Sequence, residues 1–172
     1  MKTAACVLLA GVGSLLIGAG ASGAGTPMGG QVRIFVVPGH VQGNGTIVIT
    51  GAIGDYGKTA RQKNGIGKAV LHKGTFEVNL NAMSAKLEHA KPITANLTTC
   101  SFVFGATAPA KLFDGTGMYK GISGTVTLTE TFAGYGPFYK TGAHKGKCNF
   151  SNNAAPIAQW ASVTGVGNVK FG

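Results

Sequence analysis

The chain has 172 residues, 29 of them glycine, with 44% hydrophobic and 12% charged residues and a formal net charge of +10. That is one domain's length, and the charged fraction is about half of the usual roughly 25%. Disorder is excluded, because the apolar residues come in short β-branched runs that can build a core. The basic balance favours anionic surroundings. A nucleic-acid surface is not expected, since the lysines are dispersed rather than set in a stripe among aromatics.

Residues 1–24 combine Lys2, an apolar run from Ala4 to Ile17 and a small-residue tail ending at Ala24, the pattern of a secretory signal peptide. Residues 25–172 then form a single domain, exported to the extracellular space or cell envelope and without a stable membrane span. A permanent span is the weaker reading of the leader, because the run is glycine-rich and lacks a charged stop on its far side.

Along the mature chain, QVRIFVV (Gln31–Val37) predicts a strand, PGHVQGNG a turn cluster, and Thr46–Asp55 the next strand. Ile47, Ile49, Ile53 and Asp55 share one parity there. Tyr56–Gly65 reads as a basic loop. Ile66–Leu71 and Gly74–Asn81 predict a hairpin, with Phe76, Val78 and Leu80 inward. Ala82–Lys91 is the one stretch of good helix formers, open between a turn or two of helix and a plain connection. A long strand is expected around Cys100 over Pro92–Ala106, then a short arm at Pro109–Phe113.

The strongest pattern is DGTGMYKGISGTVTLTETF, Asp114 to Phe132. Val126 and Leu128 point one way and Thr125, Thr127, Thr129 and Thr131 the other, which is period-two β patterning behind a run of bend-forming glycines. Ala133–Lys147 is a glycine-rich basic loop, and Gln159–Phe171 supplies a last strand or two. Many glycines, short strands and little helix predict an all-β fold. Cys100 and Cys148, the even pair left after leader removal, predict one disulfide.

Gly115, Thr116, Gly117, Tyr119, Gly121, Gly124, Val126 and Leu128 resemble the glycine-rich signature of the allene oxide cyclase and dirigent-like barrels, with Asp114 where those families have another glycine. Gly54-Asp55-Tyr56-Gly57 resembles a Gly-Asp-Tyr-Gly element of the plant cyclases. The resemblance implies a single antiparallel barrel of about eight strands with a central cavity, most similar to small secreted bacterial members of the class. It transfers no catalytic residue.

Two carboxylates break the pattern. Glu130 has the core parity of Val126, Leu128 and Phe132, and Asp55 that of three isoleucines. Inside a lumen both are catalytic candidates, since burial raises a carboxylate's pKa toward acid–base use. The competing placement is a strand end, the barrel rim or a turn cap. Tyr56, Tyr135, Phe138 and Tyr139 are candidate ligand contacts, weighed against ordinary loop packing. No metal or cofactor motif is found: there is no Cys-x-x-Cys and the histidines are scattered.

The leading expectation is a non-catalytic barrel that binds a small apolar ligand or a cell-envelope component. The alternatives are a cyclase- or isomerase-like, stereochemistry-guiding enzyme using Asp55 and Glu130, and a basic surface protein for anionic polymers. A homo-oligomer is compatible with all three.

Overall fold

The computed structural model describes residues 29–39, 44–61, 63–151 and 154–172. The signal peptide expected over 1–24 and the centre of the first turn cluster lie outside them. Nine strands follow in chain order: β1 Gly30–Pro38, β2 Gly45–Gly51, β3 Asp55–Arg61, β4 Ile66–Leu71, β5 Gly74–Asn79, β6 Thr94–Asn96, β7 Ser101–Phe113, β8 Ser123–Tyr135 and β9 Ala158–Lys170. The helix α1 spans Asn81–Glu88, and a 3-10 turn, η1, spans Gly117–Tyr119.

Every pairing is antiparallel, in the order β5-β4-β3-β2-β1-β9-β8-β7-β6. An additional β5–β7 pairing, Glu77 with Phe113 to Asn79 with Lys111, closes eight of the strands into a barrel, leaving β6 outside as a short companion of β7. Closure removes most of the edge that an open sheet would expose. Val32, Ile34, Ile49, Phe76, Val126 and Val169 fill the lumen, while the threonines of β8 face out. The lumen is apolar, and the outer face mixes the β8 threonines with exposed Phe35, Val48, Val70 and Val166.

Lumen glycines set how closely the walls approach. A Cβ at Gly167 would lie 2.4 Å from the Thr125 carbonyl oxygen and 2.6 Å from Val126 Cα, so only glycine lets β9 pass this close to β8. In the glycine-rich signature, Gly117 and Gly121 have φ of +61° and +72°, which turn the chain through η1 into β8.

Four expectations are corrected. The long strand expected around Cys100 over Pro92–Ala106 is split, because residues 97–100 turn between β6 and β7 and Cys100 has φ of +56°. Tyr56–Gly65 is mostly the strand β3, not a loop: its lumen positions Gly57 and Thr59 are small and alternate with Tyr56, Lys58 and Ala60, so no apolar alternation marks it. The strand expected over Thr46–Asp55 breaks at Gly51, whose φ is +82°, and Asp55 opens the next strand opposite Ile49. Pro109 does not begin a separate arm. It lies within the 13-residue β7, in a stretch flanked by neither β5 nor β6, which can spare one N–H. The helix formers do form a helix, and Met83 is its buried anchor.

The β7–β8–β9 sheet outruns the barrel. β1 leaves β9 at Val36–Val163, yet β8 stays paired with β7 to Ser101–Tyr135 and with β9 to Tyr135–Ala158. This extension is a flap. The Cys100–Cys148 disulfide ties its end to the returning 136–151 segment, which is further held by Gly136 N–H to Cys100 O at 2.8 Å and Asn149 N–H to Pro137 O at 2.8 Å.

Candidate functional site

The two candidate carboxylates sit at opposite ends of the lumen. Asp55 lies at the η1 end, 6% exposed, and its oxygens are occupied. Oδ1 accepts the Tyr56 N–H at 2.8 Å, and Oδ2 accepts the Lys73 N–H at 2.9 Å and the Tyr119 hydroxyl at 2.5 Å. The carboxylate thus joins β3, the β4–β5 turn and η1 into one plug. It also links the Gly54–Gly57 run to the glycine-rich segment before β8 through Tyr119, 64 residues away.

Burial alone would raise the Asp55 pKa. The Tyr119 hydroxyl, the two backbone N–H donors and the Lys73 charge outweigh it and hold the carboxyl below its ordinary value. Tyr119 is pushed well above the ordinary phenol range by burial, then by its bond to the Asp55 charge. A carboxylate that stays ionised and has its acceptors engaged is built to hold structure. Nearby His72 places Nδ1 2.9 Å from the Tyr56 carbonyl oxygen and 3.7 Å from Asp55 Oδ1, under the half-exposed Tyr56 ring.

At the α1 end the lumen is not filled. A cavity of about 340 Å³ is lined by Ile34, Val36, Phe76, Val78, Met83, Leu128, Phe132, Val163 and others, with Glu130 the one carboxylate in its wall and Thr59 and Ser84 adding hydroxyls. The space exists because the inward positions of β3 and β4 beside it are small: Thr59, Gly67 and Ala69 line the wall. Leu80 approaches from the helix start, 3.0 Å from where a Gly67 Cβ would be. Asp55 is not among the lining residues, so the two carboxylates do not share a cavity.

The four aromatic candidates lie outside this cavity. Tyr56 is on the barrel wall near the η1 end, while Tyr135, Phe138 and Tyr139 are gathered at the far end of the flap. Phe76, Val78, Leu80 and Leu128 were legible as inward-facing apolar positions, whereas Ile34, Val36, Met83 and Val163 carried no such assignment. That they leave a space was not legible, since volume depends on which small residues meet across the lumen. Among the described residues no group of three or more His, Cys, Asp or Glu side chains is placed to hold a metal ion, and no helix is long and apolar enough to cross a membrane.

Comparison with protein-family models, with curated proteins and with solved structures found no match to this chain.

Proposed function

We propose that this protein is a non-catalytic binding barrel that takes a small apolar ligand into the cavity at its α1 end. The observation that carries this reading is the cavity itself. It is enclosed mainly by aliphatic and aromatic side chains, at about 340 Å³, with a few polar groups at fixed places. That is the composition of a small-molecule site near the lower end of the usual size range. The leader pattern and the disulfide support an exported protein, and the glycine-rich signature supports kinship with the allene oxide cyclase and dirigent-like barrels. A cyclase- or isomerase-like role through both carboxylates has less support, because Asp55 lies at the other end of the lumen with its oxygens engaged.

The test is a thermal-shift and native mass-spectrometry screen of fatty acids, terpenoids and aromatic phenols against the wild type and Val163→Phe. Ligands that raise the melting temperature of the wild type and not of the variant support the reading. A screen without binders, or with binders indifferent to the substitution, overturns it.

A further inference from the structure

The end of the flap gathers an unusual surface. Leu97, Tyr135, Phe138, Phe150, Ile157 and Trp160 all lie there, each at least 43% exposed. Tyr135 and Trp160 are diagonal neighbours on the outer face, since Tyr135 pairs with Ala158 and Ala133 with Trp160. Phe150 stands edge-on to Phe102 on the inner face, at a ring separation of 5.8 Å. The 137–149 hairpin is pinned by the Phe138–Cys148 bridge and by Tyr139 N–H to Lys147 O at 2.9 Å, and it presents exposed Lys140, Lys145 and Lys147. No acidic residue occurs from 131 to 172, nor from 89 to 113. The apolar tip is therefore bordered by positive charge without acidic residues in its own segments.

We propose that this tip docks on an anionic phospholipid surface. Trp and Tyr rings carry an apolar body and one polar edge, which suits them to the headgroup boundary. Lysines beside them gain from the negative surface potential of anionic lipid. Penetration is shallow, because among the described residues no strand pairs with the outer side of β9 over Ala158–Ser162, and unpaired backbone cannot enter hydrocarbon. The charge is what selects a lipid surface over a second copy of this chain, whose tip would carry the same positive sign. Phe132 belongs both to the flap and to the cavity wall, so docking turns the α1 end toward the membrane. Docking does not require a loaded cavity and stands or falls separately from ligand binding.

The chain contains a single tryptophan, and it is Trp160. Its emission in the full-length protein reports tip insertion directly, whatever the leader does. With equimolar phosphatidylglycerol–phosphatidylcholine vesicles the emission should shift to the blue, and pure phosphatidylcholine should give a much weaker shift. About 0.5 M salt should weaken binding. Replacing Lys140, Lys145 and Lys147 with Gln should lower affinity on the order of a hundredfold, at about fivefold per lysine, with unchanged far-ultraviolet circular dichroism. Cosedimentation with an unshifted Trp160 would mean that another segment binds, and would overturn the proposal. An equal shift on dextran sulfate alone would point to an anionic polymer instead. A shift that grows with protein concentration before lipid is added would point to self-association, and likewise overturns it.

Discussion

At the η1 end of the barrel, Tyr119 and the Asp55 carboxylate close the lumen, and a T-shaped contact at 5.7 Å packs Tyr119 on Phe76. At the α1 end, on the other side of the same Phe76, Met83 and Leu87 roof a cavity of about 340 Å³. One end is shut by a buried charge with its acceptors engaged, the other by a helix whose cavity-facing contacts are mainly apolar and whose Lys86 Nζ donates to the Thr107 carbonyl oxygen at 2.6 Å. The difference is one of specificity. A charge-assisted hydrogen bond has a defined length and direction, so it fixes η1 against β3. Apolar contacts carry no such direction, and where the inward positions are as small as Thr59, Gly67 and Ala69 they leave volume. A barrel so divided has an anchored base and an accommodating top.

The largest perturbation of this contrast comes from the top. Replacing both Cys100 and Cys148 with Ser opens a loop of sequence separation 48. In the chain-entropy account this lowers the unfolding free energy by about 4 kcal/mol, measured by urea denaturation. The plug at the base should keep its form, so the Tyr119–Asp55 contact should survive in the native fraction.

At the base, Asp55→Ala removes the acceptor of three hydrogen bonds and should cost about 3 kcal/mol by the same measurement. Tyr119→Phe removes one of them and should cost about 2 kcal/mol. Neither should change the affinity of a ligand held at the α1 end. A loss of binding in either variant as large as in Val163→Phe would show that the two ends are coupled.

The pH dependence of stability isolates the same pair. Asp55 has a lowered pKa in the folded state, so its contribution is present above the ordinary 3.8 and is lost as pH falls below it through the folded value. Tyr119 has a raised pKa, so its contribution is present below the ordinary 10.0 and is lost as pH climbs beyond it. Each limb should have a slope of up to about 1.4 kcal/mol per pH unit. Asp55→Asn should flatten the acid limb and Tyr119→Phe the alkaline limb. Unchanged limbs in these variants would remove the electrostatic account of the plug.

The smallest effect on stability should come from filling the cavity. Val163→Phe places a ring where space already exists, and should change the unfolding free energy by less than about 1.5 kcal/mol. It separates the roles of the two ends cleanly, since it should abolish ligand binding while leaving the pH limbs intact.

What the sequence determined by itself is local and periodic. The alternation of Val126 and Leu128 with four threonines fixes which face of β8 turns inward, because side chains in a strand alternate whatever the strand pairs with. The pairing of Cys100 with Cys148 and the bend-forming glycines of the turn into β8 were both expected from the sequence. β3 escaped that reading, because inside a narrow lumen Gly57 and Thr59 do the work that apolar residues do elsewhere. Pro109 misled for a related reason: its tolerance depends on which strands flank β7, a non-local fact. Only the tertiary structure decided that Asp55 meets Tyr119, that Glu130 does not meet Asp55, that a cavity remains above Phe76, and that the apolar tip and its lysines share one end. Each depends on strand register and barrel closure, which bring together residues that no local periodicity relates.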